Sequence, residues 1–252
     1  MFLFELLNLS NGFKKYFDVA PAVTPALESE AYAIRHRVYC EELAYEPVRP
    51  DHRESDQYDE RAVHVLVRSL QVDRYVACAR VVRVDPADPS SVLPLEKTCA
   101  AAIDRKVLDP ERLDRGRIGE ISRLAIVPEF RKRRGEKNTA IAVSEADFGS
   151  VDLPRFPYIQ VALYYGSIAL AKRLGLETIF ILTEPRLSAH FEKLGAHPRP
   201  IGTPVEHRGQ RVPAVMTVSE TEAHLPRSIR PLYELLCEEI WTGYERQGRT
   251  LH

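Results

Sequence analysis

Residues 117–127 read Arg117-Ile118-Gly119-Glu120-Ile121-Ser122-Arg123-Leu124-Ala125-Ile126-Val127, and Pro128 follows. Alternation puts Ile118, Glu120, Ser122, Leu124 and Ile126 on one face and Arg123 on the other, the two-residue period of a β-strand. Two readings of Glu120 follow. A carboxyl desolvated on an apolar face titrates high and suits a general base near neutral pH, whereas a carboxyl paired with an arginine titrates low. Beyond Pro128 come Arg131, Lys132, Arg133 and Arg134, a run of cations where a strand turns into a helix. Free N–H groups at a helix start favour phosphate. The run therefore suits a phosphate-bearing group or an acidic protein partner, and it reads equally as a solvated turn.

Upstream, residues 16–20, Val63–Leu70 and Arg74–Val84 read as strands, the last two joined by a turn near Gln71–Asp73. In Arg74–Val84 an otherwise apolar row, Val76, Cys78, Val82 and Val84, is interrupted by Arg80. A buried guanidinium is costly without an acid, so Arg80 predicts a partner, and Asp56 or Asp59 is nearest in sequence. These two sit in the acidic loop Asp51–Glu60, which reads either as solvated or as turned inward toward arginines. Residues 26–43 have helical spacing at Leu27, Ala31, Ile34 and Val38, with Arg35, Tyr39 and Glu42 on a neighbouring flank. That flank is either solvated or carries an Arg35 turned inward to hold a carboxylate.

Downstream, helices are expected at about 136–148 and 159–174, then a buried strand Glu177–Thr183. A helix Pro185–Leu194 is closed by Gly195, a strand follows at Val212–Val218, and a helix carries Leu232, Leu235, Leu236, Ile240 and Tyr244. Mixed order around a strand–helix unit predicts an α/β domain. Residues 1–17 form an amphipathic helix, packed on the domain, acting as a lid over an apolar ligand, or making a peripheral membrane contact. The main domain spans 18–220, and 221–252 is a C-terminal helical extension.

Composition excludes several classes. The 252 residues carry 35 Lys+Arg against 36 Asp+Glu, a formal charge of -1 that argues against a general nucleic-acid binder. Folding a chain of this length removes roughly 70–75% of its surface from water, so no disulfide or metal staple is required. Cys40, Cys78, Cys99 and Cys237 are far apart, which fits reduced thiols in the cytoplasm. The histidines lack helix-borne ligand spacing, so no metal is expected. The N-terminal stretch is short, lacks a basic leader and contains Glu5, a poor signal peptide. No stretch reaches the ~20 apolar residues of a membrane helix.

Six elements occur in one order: Arg35-x-x-Val38-Tyr39, Tyr45, Asp56-x-x-Asp59, Val76-Ala-Cys-Ala-Arg80, Leu93-Pro-Leu-Glu96 and Glu120-x-Ser122-Arg123. Over residues 25–218 the chain resembles the acyltransferases associated with the PEP-CTERM/exosortase system. These are related to N-acyl amino acid synthases and to autoinducer (acyl-homoserine lactone) synthases, within the GNAT-like superfamily. The resemblance implies a central mixed sheet, split between two parallel strands and flanked by helices. It also implies a charged cluster of Arg35, Asp56, Asp59, Arg80, Glu120 and Arg123 beside the reaction centre. Glu120, Ser122 and Arg123 are its expected catalytic set. Arg35, Tyr39, Tyr45, Asp56, Asp59, Arg80, Leu124 and Ala125 are expected to bind substrate. The donor it implies is acyl-acyl carrier protein, whose phosphopantetheine enters the split, with no tightly bound cofactor. Arg131, Lys132, Arg133 and Arg134 would then face the acidic carrier protein.

Two departures bear on substrates. The superfamily's pyrophosphate motif, (Arg/Gln)-x-x-Gly-x-(Gly/Ala), is incomplete here, because Lys132–Lys137 lacks the second small residue. That disfavours a plain acetyl-CoA N-acetyltransferase. Autoinducer synthases favour Phe and Trp where this chain has Tyr39 and Tyr45, which weakens S-adenosylmethionine as acceptor. The expected activity is transfer of a long-chain acyl group to the α-amine of an amino acid. The alternatives are an acyl-homoserine lactone synthase and a non-catalytic carrier-protein binding module. No G-x-S-x-G elbow or Cys–His pairing points to an acyl-enzyme.

Overall fold

A computed structural model describes residues 9–85, 87–131 and 156–248. The anticipated helix at about 136–148, residues 1–8 and Lys132–Arg134 fall outside this set. Among the described residues eight strands form one sheet, in spatial order β1 (Phe17–Ala22), β2 (Ala62–Ser69), β3 (Arg74–Arg83), β4 (Ile118–Ile126), β5 (Thr178–Thr183), β8 (Gln210–Thr217) and β6 (Arg199–Pro200), with β7 (Val205–Glu206) pairing β8. Every pairing is antiparallel except β4 with β5.

That parallel pairing is short. It runs from Ile118↔Thr178 to Ile121↔Ile181 and then stops, while β4 continues to Ile126. Among the described residues the β5-facing edge of β4 beyond Ile121 therefore has no strand partner, and the sheet is split there.

The helix α1 (Leu9–Tyr16) puts Leu9 and Phe13 into the core, with the Phe13 ring 5.9 Å from Phe17 and 6.3 Å from Tyr158. Its described part is packed on the domain. On one face of the sheet α2 (Pro25–Arg35) starts from Thr24, whose hydroxyl caps the Leu27 amide, with Pro25 in the first turn. It packs on β3 and runs on into a π-helical turn, His36–Glu42. On the other face α5 (Tyr158–Arg173) is buried along nearly its whole length between the sheet and the long helix α8 (Arg230–Gly248). This burial explains why its sequence is apolar on all sides. Shorter helices α3 (Pro94–Thr98), α4 (Pro128–Arg131), α6 (Pro185–Lys193) and α7 (Val218–Ala223) cover the edges. Gly195, with φ +90, follows α6, and a Cβ there would lie 2.7 Å from the His224 carbonyl oxygen, so glycine is required. No helix among the described residues is long and apolar enough to cross a membrane.

The predicted elements occur where alternation or helical spacing is strong. The correction concerns β4. Strict alternation puts Arg123 opposite Ser122, but the β3–β4 register shifts between Cys78 and Arg80, and Arg123 has φ +52. The extra residue is a β-bulge, which re-aims the side chains beyond it.

Candidate active site

The split opens onto a cavity of about 250 Å³. One wall holds Glu120, Ser122, Arg123 and Leu124 of β4 with Arg80 of β3. Another holds Tyr39, Tyr45, Asp56 and Tyr58, and α3 contributes Pro94 and Leu95. The apolar end is built by Tyr164, Ile181, Leu182, Leu187, Phe191 and Met216. There the Tyr164 ring stacks on Phe191 at 4.5 Å, and its hydroxyl donates to Met216 Sδ at 3.2 Å.

Beside the cavity lies a compact ion cluster. Arg35 Nε donates to Glu54 Oε2 at 2.5 Å, and its Nη1 donates to Asp59 Oδ1 at 2.6 Å. Arg80 Nη1 reaches Asp56 at 2.7 Å and Asp59 at 2.9 Å, while its Nε donates to the Ser122 hydroxyl at 3.3 Å. Arg123 Nη2 lies 3.0 Å from Asp56 and 3.4 Å from Glu54. Burial raises the pKa of each of these carboxyls, but the arginines at Glu54 and Asp56, and His64 followed by the arginines at Asp59, outweigh it and hold all three below their usual range. Three guanidiniums and three carboxylates thus neutralise one another. His64 completes the cluster: its Nε2 sits 2.9 Å from Arg35, and burial pushes its pKa down to about 4, so the ring is neutral.

Glu120 is different. It is 3% exposed, and no arginine among the described residues forms an ion pair with it. Its Oε2 accepts the Leu95 amide at 2.6 Å. Burial pushes the carboxyl up to about 7, against the smaller opposing pulls of that hydrogen bond, Arg80 and Arg123. Of the two readings open in the sequence, the desolvated carboxyl is the one the geometry supports. A site with this pKa exchanges a proton with a bound amine near neutral pH.

The aromatic pair is also placed. The hydroxyl of the buried Tyr39 donates to the Leu124 carbonyl at 2.7 Å, tying the π-helical turn to the β4 bulge. The Tyr39 and Tyr45 rings stack at 6.5 Å, with the Arg123 guanidinium 5.7 Å from the Tyr39 ring centre. Ala125 is fully buried and pairs with Cys78 rather than lining the cavity.

One expectation needs correction. Arg131 is not on a surface open to a carrier protein: it is 8% exposed and paired with Glu42. Arg35 and Arg80 are 0% and 1% exposed and bound to the acidic loop, with Arg80 also lining the cavity. Glu54 and Tyr58 belong to the site although the sequence reading did not select them. The hairpin residues His207, Arg208 and Arg211 were missed as well.

Away from the cavity, His36, Glu41 and His52 come together within metal-ligand reach. His36 Nε2 accepts the Arg49 amide at 3.0 Å, so its Nδ1 carries the proton and donates to Glu41 at 3.2 Å. In that tautomer Nδ1 has no lone pair for a metal, and the trio is a hydrogen-bond chain.

Residues 34–140 match the family model described as an acetyltransferase (GNAT) domain. The matched segment carries β2, β3 and β4, up to the strand that borders the split. Among solved structures, TofI, in a ternary complex with an inhibitor and MTA, matches with a TM-score of 0.56 at 21% identity, over 82% of this chain and 95% of TofI. MesI, a CoA-dependent acyl-homoserine lactone synthase, matches with 0.55 at 19% identity, over 86% of this chain and 95% of MesI. FeeM, an N-acyl amino acid synthase from uncultured soil microbes, matches with 0.52 at 12% identity, over 84% of this chain and 96% of FeeM. At these identities the shared property is the fold, which is GNAT-like and autoinducer synthase-like. No curated protein matches the chain.

Proposed function

We propose that the chain is an N-acyl amino acid synthase that transfers a long-chain fatty acyl group from acyl-acyl carrier protein to the α-amine of an amino acid. The observation that carries this reading is Glu120, a buried carboxyl pushed up to about 7 on the wall of a cavity that opens at the strand split. The donor thioester lies in the split, its carbonyl oxygen polarised by a backbone N–H of the β4 bulge near Leu124 or Ala125. Glu120, directly or through water, takes a proton from the acceptor ammonium. The free amine attacks the thioester carbon, the C–S bond breaks, and the carrier thiol departs with a proton as the amide forms. The acyl chain occupies the apolar end formed by Tyr164, Phe191 and Met216.

A direct transfer is supported by the thiols. Cys78, beneath the cluster, is fully buried, and burial pushes its pKa up to about 12; Cys99 is pushed up to about 11. Neither is a thiolate nucleophile at neutral pH.

The test is product mass. The purified chain is incubated with acyl-acyl carrier protein and either the standard amino acids or S-adenosylmethionine. An N-acyl amino acid supports the proposal. An acyl-homoserine lactone reassigns the acceptor, and carrier binding without thiol release supports a binding module. Acyl-CoA in place of the acyl carrier protein separates the two donors.

A further inference from the structure

The ion cluster leaves one question of the proposed reaction open: what holds the acceptor. Arg35, Arg80 and Arg123 are neutralised by Glu54, Asp56 and Asp59, so that wall offers a carboxylate no surplus charge. The hairpin between β7 and β8 also brings His207, Arg208 and Arg211 to the cavity.

We propose that Arg211 and Arg208 on this hairpin form the subsite for the carboxylate of an α-amino acid acceptor, an inference that rests on the reading of the chain as an N-acyl amino acid synthase. The Arg211 Nε donates to the His207 carbonyl at 2.8 Å, which fixes the plane of the guanidinium. Its Nη2 makes one contact of 3.3 Å with the half-buried Glu184, and its Nη1 has no protein partner among the described residues. A fixed guanidinium with an open edge matches the planar geometry of a carboxylate. Arg208 lies 5.5 Å from the Tyr45 ring centre and pairs with Glu46, which Arg123 also contacts at 3.5 Å.

Arg208 (φ +56) and Gly209 (φ +98) make the tight turn of the hairpin, and the Arg208 side chain lines the cavity. His207 shows the resulting field: burial lowers its pKa first, and Arg208, Arg211 and Arg123 lower it further. With Glu120 on the β4 wall and the arginines on the hairpin, the cavity is polar in the sense an amino acid needs. The ammonium faces the carboxyl that takes its proton, and the carboxylate faces the guanidiniums.

The experiment compares amino acids with their decarboxylated amines, L-leucine against isoamylamine and L-phenylalanine against phenethylamine. Thiol release from acyl-acyl carrier protein is measured for wild type, Arg208→Gln, Arg211→Gln, Arg211→Lys and the double Gln variant. The wild type is expected to prefer the amino acid. Arg211→Gln should raise the KM for the amino acid about tenfold, the effect of one charge-assisted pair, with kcat retained and the KM for the amine unchanged. The double variant should abolish the preference, and Arg211→Lys should restore part of it. Thermal unfolding confirms that each variant folds. An equal loss for both acceptors, with a raised donor KM, assigns the arginines to a donor phosphate and overturns the subsite. An undiminished preference in the double variant also overturns it while leaving the reaction intact. No turnover by wild type with any amine sinks the parent reading and this subsite together.

Discussion

The Leu95 amide donates a 2.6 Å hydrogen bond to Oε2 of Glu120. One end of a buried carboxyl is thereby held by α3 of the adjacent loop, while the residue itself lines the cavity at the strand split. The bond favours the ionised form, yet burial still dominates and the group titrates at about 7. A carboxyl anchored in this way keeps its position through a cycle of proton uptake and release.

Stability should report this pKa directly. The folded state binds the Glu120 proton more tightly than the unfolded chain, where the ordinary value is 4.5. The contribution is therefore fully present below pH 4.5 and is lost as pH rises toward and through 7. The difference of about 2.5 pKa units is worth about 3 kcal/mol. Glu120→Gln removes this titration, so the wild type should lose about that much relative to the variant between pH 5 and pH 8. Paired urea melts at the two pH values measure it, and equal slopes of stability with pH would exclude the raised pKa.

The ion cluster makes an opposite kind of prediction. Asp59→Asn leaves Arg35 and Arg80 buried with fewer anions, and such broken buried pairs cost about 3–5 kcal/mol. Arg37→Gln breaks the ion pair with Glu129 on the surface, where both groups are exposed, and should cost under about 1 kcal/mol. Denaturant unfolding of the two variants side by side distinguishes a cluster that organises the wall from one that merely decorates it.

Tyr39→Phe removes the hydroxyl that holds the Leu124 carbonyl. A lost buried hydrogen bond costs about 1–2 kcal/mol. Because the bond ties the π-helical turn to the bulge, turnover should fall further than stability implies, with acceptor KM little changed. Unaltered kcat in a variant of lowered melting temperature would confine Tyr39 to packing.

The strands and helices with clear periodicity were legible because burial alone dictates them: β3 and β4 as alternating rows, α5 as a segment apolar on every side. The partnership of Arg80 with Asp56 and Asp59 was legible for an energetic reason, since a guanidinium in an apolar row demands an acid. The face on which Arg123 emerges was not, because a single left-handed residue shifts the register and no alternation rule registers it. Arg131 reads as one cation of a basic run, and only the tertiary position of Glu42 turns it inward. The hairpin arginines escaped because β7 is two residues long and its polar turn, Glu206-His-Arg-Gly-Gln, has no hydrophobic period to detect. The tie of Glu120 to Leu95 joins residues 25 positions apart and exists only once α3 docks beside β4.

The most direct test of the account is the pH dependence of thiol release by wild type and Glu120→Gln, at saturating donor and acceptor. The wild-type rate should rise through about pH 7, where the Glu120 carboxyl ionises, and the variant should be slower by about 10²–10⁴-fold at pH 7. Near-normal turnover by Glu120→Gln across the same range would contradict the assignment of Glu120 as the base.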